Sequence, residues 1–216
     1  MDLGPVEIRV LGCLVEKQRT TPDAYPLTLN ALRLACNQST NRDPVVDYEE
    51  GAIRDAAQSL GRRRLARLAS GHTTRTTKYR HLLDEALGLP PGELAVLGLL
   101  MLRGAQTPGE LKGRADRLHA FADLAGVEEA LDGLIGRGHA ARLERRPGQK
   151  EQRYAHLLGA DADAVAAEVP VPAPQAEPAA PPPPAGPGLD ERVARVEAEV
   201  AELRAALDAL RRDLGA

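Results

Sequence analysis

Seven cations, Arg62, Arg63, Arg64, Arg67, Arg75, Lys78 and Arg80, fall between residues 61 and 80, a stretch that holds no acid. Guanidinium and ammonium groups at that density suit phosphate oxygens, so the chemistry they point to is contact with a nucleic-acid backbone. A second set, Arg137, Arg142, Arg145, Arg146, Lys150 and Arg153, follows about 75 residues later. Asn37, Gln38, Ser39, Thr40, Asn41 and Arg42 add amides and hydroxyls that can reach base edges or sugars, although turn formation and helix capping account for such residues equally well. The whole-chain charge of −3 hides this asymmetry, because residues 159–216 carry 11 Asp/Glu against 5 Lys/Arg.

Catalytic chemistry finds less to stand on. The chain has no H-E-x-x-H, no Cys-x-x-Cys, no Walker loop and no G-x-G-x-x-G, so no enzyme, metal or cofactor is expected. Of the five histidines, His81 and His156 occupy matching places in two similar segments, where packing is the simpler role. Cys13 and Cys36 sit in apolar helical contexts and read as reduced core thiols. Glu49-Glu50 and Glu128-Glu129 fall at helix starts, where they complement the dipole. No constellation of polar groups marks a small-molecule pocket.

The elements that must position the cations come from a duplication. Pro5 to Pro22, PVEIRVLGCLVEKQRTTP, returns as Pro91 to Pro108, PGELAVLGLLMLRGAQTP, with Glu7, Val10, Leu11, Gly12 and Leu14 each recurring 86 positions on. Lys78-Tyr-Arg-His-Leu-Leu83 is answered by Arg153-Tyr-Ala-His-Leu-Leu158. Two copies of one small module follow. Three-and-four spacing predicts a helix over Val6–Lys17 and a second from about Pro26 to Gln38, apolar around most of its circumference and therefore well buried. Asp47-Tyr-Glu-Glu50 reads as a capping box opening a third helix, with Ile53, Ala56, Ala57 and Leu60 on one face. Alternation from Leu65, a Gly71-containing turn and Thr76–Leu82 predict a β-hairpin. The second copy repeats this order with its own capping box, Thr107-Pro-Gly-Glu110, and strands that measure the same from Leu to Tyr as in the first, Leu68–Tyr79 and Leu143–Tyr154.

The fold class is mainly α with small β-hairpins (α+β), two tandem winged helix-turn-helix domains at 1–84 and 85–158. Each would carry a modest core of its own and end in a cationic two-stranded flap facing water. Residues 159–188, rich in Ala and Pro, read as an extended tether. Over 189–216, Leu189, Val193, Val196, Val200, Leu203, Leu207, Leu210 and Leu214 alternate at intervals of four and three. That is a heptad seam favouring a parallel homodimer, a lone amphipathic helix docked on its own domain being the alternative. The N-terminus shows no secretory pattern and the longest apolar run, Leu94–Leu102, is too short for a bilayer, so a cytoplasmic protein is expected.

With these residues assembled, the chain resembles the YceH family of bacterial tandem winged-helix proteins. The resemblance rests on E-x-R-V-L-G-C-L-V-E-K-Q-R-T-T-P-D-A-Y-P-L-T-L-N-A-L at 7–32, A-C-N-Q-S-T-N-R-D-P-V at 35–45, L-R-G-A-Q-T-P-G-E-L at 102–111 and R-P-G-Q-K-E-x-R-Y at 146–154. It covers residues 5–158, with tether and heptads standing as an addition in this member, and it implies a fold rather than an activity. The leading expectation is a non-enzymatic, dimeric duplex-DNA-binding protein, a transcriptional regulator. It would use the basic wing and third helix of the first domain (Arg62, Arg63, Arg64, Arg67, Arg75, Lys78), with Asn37 to Arg42 and, in the second, Arg145, Arg146 and Lys150. Against DNA stand the acids near the start of each third helix, Asp47, Glu49, Glu50 and Asp55, then Glu128, Glu129 and Asp132. They keep open a protein-interaction adaptor that binds no DNA.

Overall fold

The computed structural model describes residues 1–69, 77–145 and 151–159. The heptad residues Leu189 to Leu214, together with Arg75, Arg146 and Lys150, lie outside the described residues. Helix α1 spans Pro5–Thr20, its first turn fixed by Pro5 and by the Glu7 carboxylate, which accepts from the Gly4 amide at 2.8 Å. After a 3₁₀ turn at Pro22–Ala24 come strand β1 (Leu27–Thr28) and helix α2 (Leu29–Cys36). The second helix is therefore shorter than its apolar pattern suggests. Thr28 closes it off by accepting from the Ala31 amide, which leaves Leu27 to pair in a sheet. Nor is it buried all round, since Leu34 is 56% exposed.

Helix α3 (Glu50–Arg62) starts without the expected capping box, and its N-cap Glu49 makes no side-chain cap bond. Asp47 is engaged elsewhere: Asn37 Nδ2 donates to it, and the same amide clamps the main chain of Tyr48. Strands β2 (Ala66–Ala69) and β3 (Lys78–His81) pair antiparallel with β1 on the far side of β3. A short helix, α4 (Leu83–Leu87), joins the copies. The second copy then supplies α5 (Pro91–Arg103), α6 (Pro108–Ala115), α7 (Leu124–Gly136) and strands β4 (Ala140–Arg142) and β5 (Tyr154–His156). Its capping box forms as read, Thr107 accepting from Glu110 N and Glu110 from Thr107 N. The strands do not correspond quite as their spacing implies. Tyr79 faces Leu68, but Tyr154 faces Arg142 rather than Leu143. Each tyrosine also anchors a third segment, Leu27 in one copy and Gln106 in the other, and that anchoring sets the register.

The chain is thus a mixed structure of helices and small antiparallel sheets, and among the described residues no helix is long and apolar enough to cross a membrane. Both copies lie in one compact unit, and their buried side chains form one continuous cluster rather than two cores. Helix α5, with every residue from Leu94 to Leu102 buried, is the centre of that cluster. It packs along α1, its own counterpart in the duplication. A Cβ on Gly12 would stand 3.2 Å from Met101 Cβ and 3.0 Å from Leu102 Cδ2, and one on Gly98 would stand 3.0 Å from Val15 Cγ1. Gly12 and Gly98 are repeat partners, as are Val15 and Met101, so the crossing has the reciprocal form of a two-fold interface within one chain. The N-terminus adds a tie across the copies, the Leu3 amide donating to Leu158 O at 2.9 Å.

Candidate nucleic-acid interface

The loop after α2 is mostly occupied in holding itself. Arg42 is buried: its Nη1 and Nη2 donate to Glu16 Oε1 and Oε2 at 3.0 and 2.6 Å, and its Nε donates to Ala35 O at 3.1 Å. It cannot reach a nucleic acid and leaves the candidate set. Gln38 accepts from Arg42 and Lys17, Asn37 is the Tyr48 clamp, and Asn41, at a left-handed φ of 59°, accepts from Arg103. Only Ser39 and Thr40 keep exposed side chains with no bond to another described residue. The sequence showed turn-forming residues here; it could not show that Glu16, 26 positions earlier, arrives beneath them.

The end of α3 behaves differently. Arg62, Arg64 and Arg67 are exposed and make no ion pair among the described residues, and Lys78 is half-buried. Arg63, by contrast, donates to Asp2 O at 2.9 Å and lies 3.8 Å from Glu7, as its counterpart Arg137 lies 3.1 Å from Glu93. Both fasten the third helix of a copy to its first. Arg64 ends α3 at a φ of 60°, the place that Gly138 fills in the second copy at 72°. A side chain at that φ costs about 1 kcal/mol, so Arg64→Gly is expected to raise stability by about that amount in urea unfolding while removing one cation.

Sequence reading missed Arg54, Gln58 and Asn30 beside this patch. Arg54, Gln58 and Arg62 recur every fourth residue of α3 and so share one stripe, with Asn30 across from them on α2. Arg54 and Gln58, with Thr28, Asn30, Leu68, Thr77 and Tyr79, line an open groove of about 670 Å³ between α3 and the sheet. Its lining includes no acid, though Arg54 pairs with Glu50 one turn back. The i, i+4, i+8 spacing was the available signal, overshadowed by the acids around it. In the second copy the corresponding groove, about 350 Å³, carries Glu128 where the first has Arg54, and adds Glu151 opposite Arg142 and Arg145. Arg142 rests 5.6 Å from the Tyr154 ring centroid and 3.8 Å from Asp132, Arg153 is taken by Glu110 at 2.8 Å, and Arg145 is exposed. Phosphate would meet a field of mixed sign there.

His81 is a strut. Its ring is fully buried, Nδ1 accepts from the Leu83 amide, and Nε2 lies 2.7 Å from Gln18 Oε1, which makes Nε2 the protonated nitrogen. Burial draws its pKa down to about 4, and burial lowers that of His156, which accepts from the Leu158 amide in the same way.

Residues 3–149 match a family described as "Protein of unknown function, DUF480". A "UPF0502 protein" of Pelobacter propionicus is 50% identical over 214 residues, covering 98% of this chain and 94% of the relative. One from Klebsiella pneumoniae is 45% identical over 97% and 96%, and one from Azoarcus sp. 49% over 97% and 93%. These alignments run through the tether and heptad region, so that tail is shared with relatives and is not an addition peculiar to this member. On the span of the family match and the likeness over nearly the full length, the chain belongs to the DUF480 family of bacterial proteins.

Proposed function

We propose that this chain is a non-enzymatic, duplex-DNA-binding regulator built of two winged helix-turn-helix copies. It grips DNA with α3 and the β2–β3 strands of the first, and dimerises through the heptads of residues 189–216. The observation that carries this reading is the set Arg62, Arg64 and Arg67, exposed and without a counter-ion among the described residues, beside a groove with no acid in its lining. Uncompensated cations at the surface gain little from folding, and release of condensed counterions on phosphate contact gives them a use. The copies share one interior, which leaves the outer face of α3 and Arg67 open to solvent.

Fluorescence anisotropy with random duplex at two salt concentrations tests it. The full chain should bind with a steep salt dependence, and the triple Arg62→Ala, Arg64→Ala, Arg67→Ala variant should flatten the log–log slope by roughly 2 to 3. Equal binding and slope for parent and variant would remove this surface from consideration. The second copy favours a protein partner instead, because its groove carries Glu128 and Glu151 and Leu124 beside them is 44% exposed. One stoichiometric partner on purification, with no duplex retained at low salt, would make the chain an adaptor.

A further inference from the structure

Where α1 and the loop after α2 meet α5 and α6, the two copies enclose a cavity of about 210 Å³. That is too large for a single water and smaller than the roughly 300–1,000 Å³ of drug-sized sites, so any occupant is small. Its polar wall is cationic: Arg103 at the end of α5, Arg114 in α6 and Arg117 just beyond it. The cavity's two acids are already engaged, Glu16 with Arg42 at 2.6 Å and Asp116 with Lys112 at 3.5 Å. Arg103 has only a neutral partner, the amide oxygen of Asn41 at 2.8 Å. Arg114 donates to Gln106 at 2.7 Å and lies 3.5 Å from Glu110, while Arg117 is exposed and makes no ion pair among the described residues.

A guanidinium carries five N–H donors, so each of these three has donors to spare. Burial first, and then the neighbouring Arg114 charge, lowers the pKa of Arg103 against the opposing charges of Asp43 and Glu110. Leu99, Leu102 and Leu118 give the cavity an apolar side, and Thr20 and Gly113 also line it.

We infer that this cavity binds a small organic anion, its carboxylate or phosphate held by Arg103, Arg114 and Arg117 and its short apolar stem laid on Leu99, Leu102 and Leu118. Planar, forked donors suit either oxyanion, and the apolar side rewards a ligand with a hydrocarbon stem over a bare ion. Asn41 apart, the site uses none of the residues assigned to DNA, so either reading can fail without the other.

Calorimetric titration of the full chain with butyl phosphate, butanoate and inorganic phosphate separates the outcomes. A butyl anion should bind saturably at one site per chain, roughly tenfold tighter than inorganic phosphate; which butyl anion wins identifies the headgroup. Arg103→Gln and Arg117→Gln should each weaken it about tenfold, whereas Arg67→Gln should leave it unchanged. Should Arg103→Gln disturb the fold, exposed Arg117 still carries the test. No saturable binding of either butyl anion below about 10 mM, or losses from Arg67→Gln equal to those from Arg117→Gln, would overturn the site.

Discussion

Arg42→Ala is expected to cost about 3–5 kcal/mol, a large part of the stability of a chain this size. Its guanidinium has no exposed surface and is bound to both oxygens of Glu16, so deletion leaves a carboxylate that is only 12% exposed without its bidentate partner, with Lys17 at 3.5 Å as the remaining cation. The Ala35 carbonyl also loses its donor. Burial pushes the Glu16 pKa up, but the hydrogen bonds and charge of Arg42, helped by Lys17, outweigh it and hold the carboxyl below its ordinary 4.5. A depressed carboxylate contributes stability that is complete above the unfolded value and is lost as the pH falls through the folded one. The gap between parent and Arg42→Ala should therefore be widest near neutrality and narrow below about pH 4.5. Urea unfolding across that range reads both quantities. Replacing both partners with methionine should cost less than replacing Arg42 alone, because no charge is then stranded. A cheap single variant, or a double that costs the sum of its singles, would show that the pair is not coupled as drawn.

Gly98→Leu should cost on the order of 3 kcal/mol by overpacking. Even a Cβ there would press on Val15 Cγ1 at 3.0 Å, and Val15 is itself packed into the centre of the shared core. Gly113→Ala in α6, where a Cβ would meet nothing within 4 Å, is the matched control and should be neutral or stabilising by up to about 1 kcal/mol. Because the α1–α5 contact joins the two copies, the parent should unfold in one transition and Gly98→Leu in two, followed by circular dichroism and Tyr fluorescence together. Two transitions in the parent would mean that the copies are not coupled through this contact.

What could be read in advance was local. Apolar spacing within α1, α3 and α7 places their buried faces, and Thr107 with Glu110 places the start of α6, because each depends on neighbours no more than a few residues away. The duplication was legible as self-similarity, and the cationic stretch from the end of α3 as composition, but not which of its arginines are exposed. Asp47 marks where such reading stops. Its position before Glu50 suggested a cap, and Asn37, ten residues earlier, takes the side chain that would have made it.

The sequence by itself determined two similar copies, the order of three helices and a hairpin in each though not β1 or α4, and a cationic stretch that includes Arg62, Arg64 and Arg67. Only the tertiary structure decided which cations are free. Arg42, Arg63 and Arg67 look alike along the chain, but an arginine's role depends on which carboxylate the folded backbone brings beside it. Glu16 is 26 residues from Arg42, Glu7 comes from a different helix than Arg63, and no described carboxylate pairs with Arg67. The fused core has the same origin: a glycine in a helix pattern looks like a weakness until a second helix is packed against it, as α5 is against Gly12.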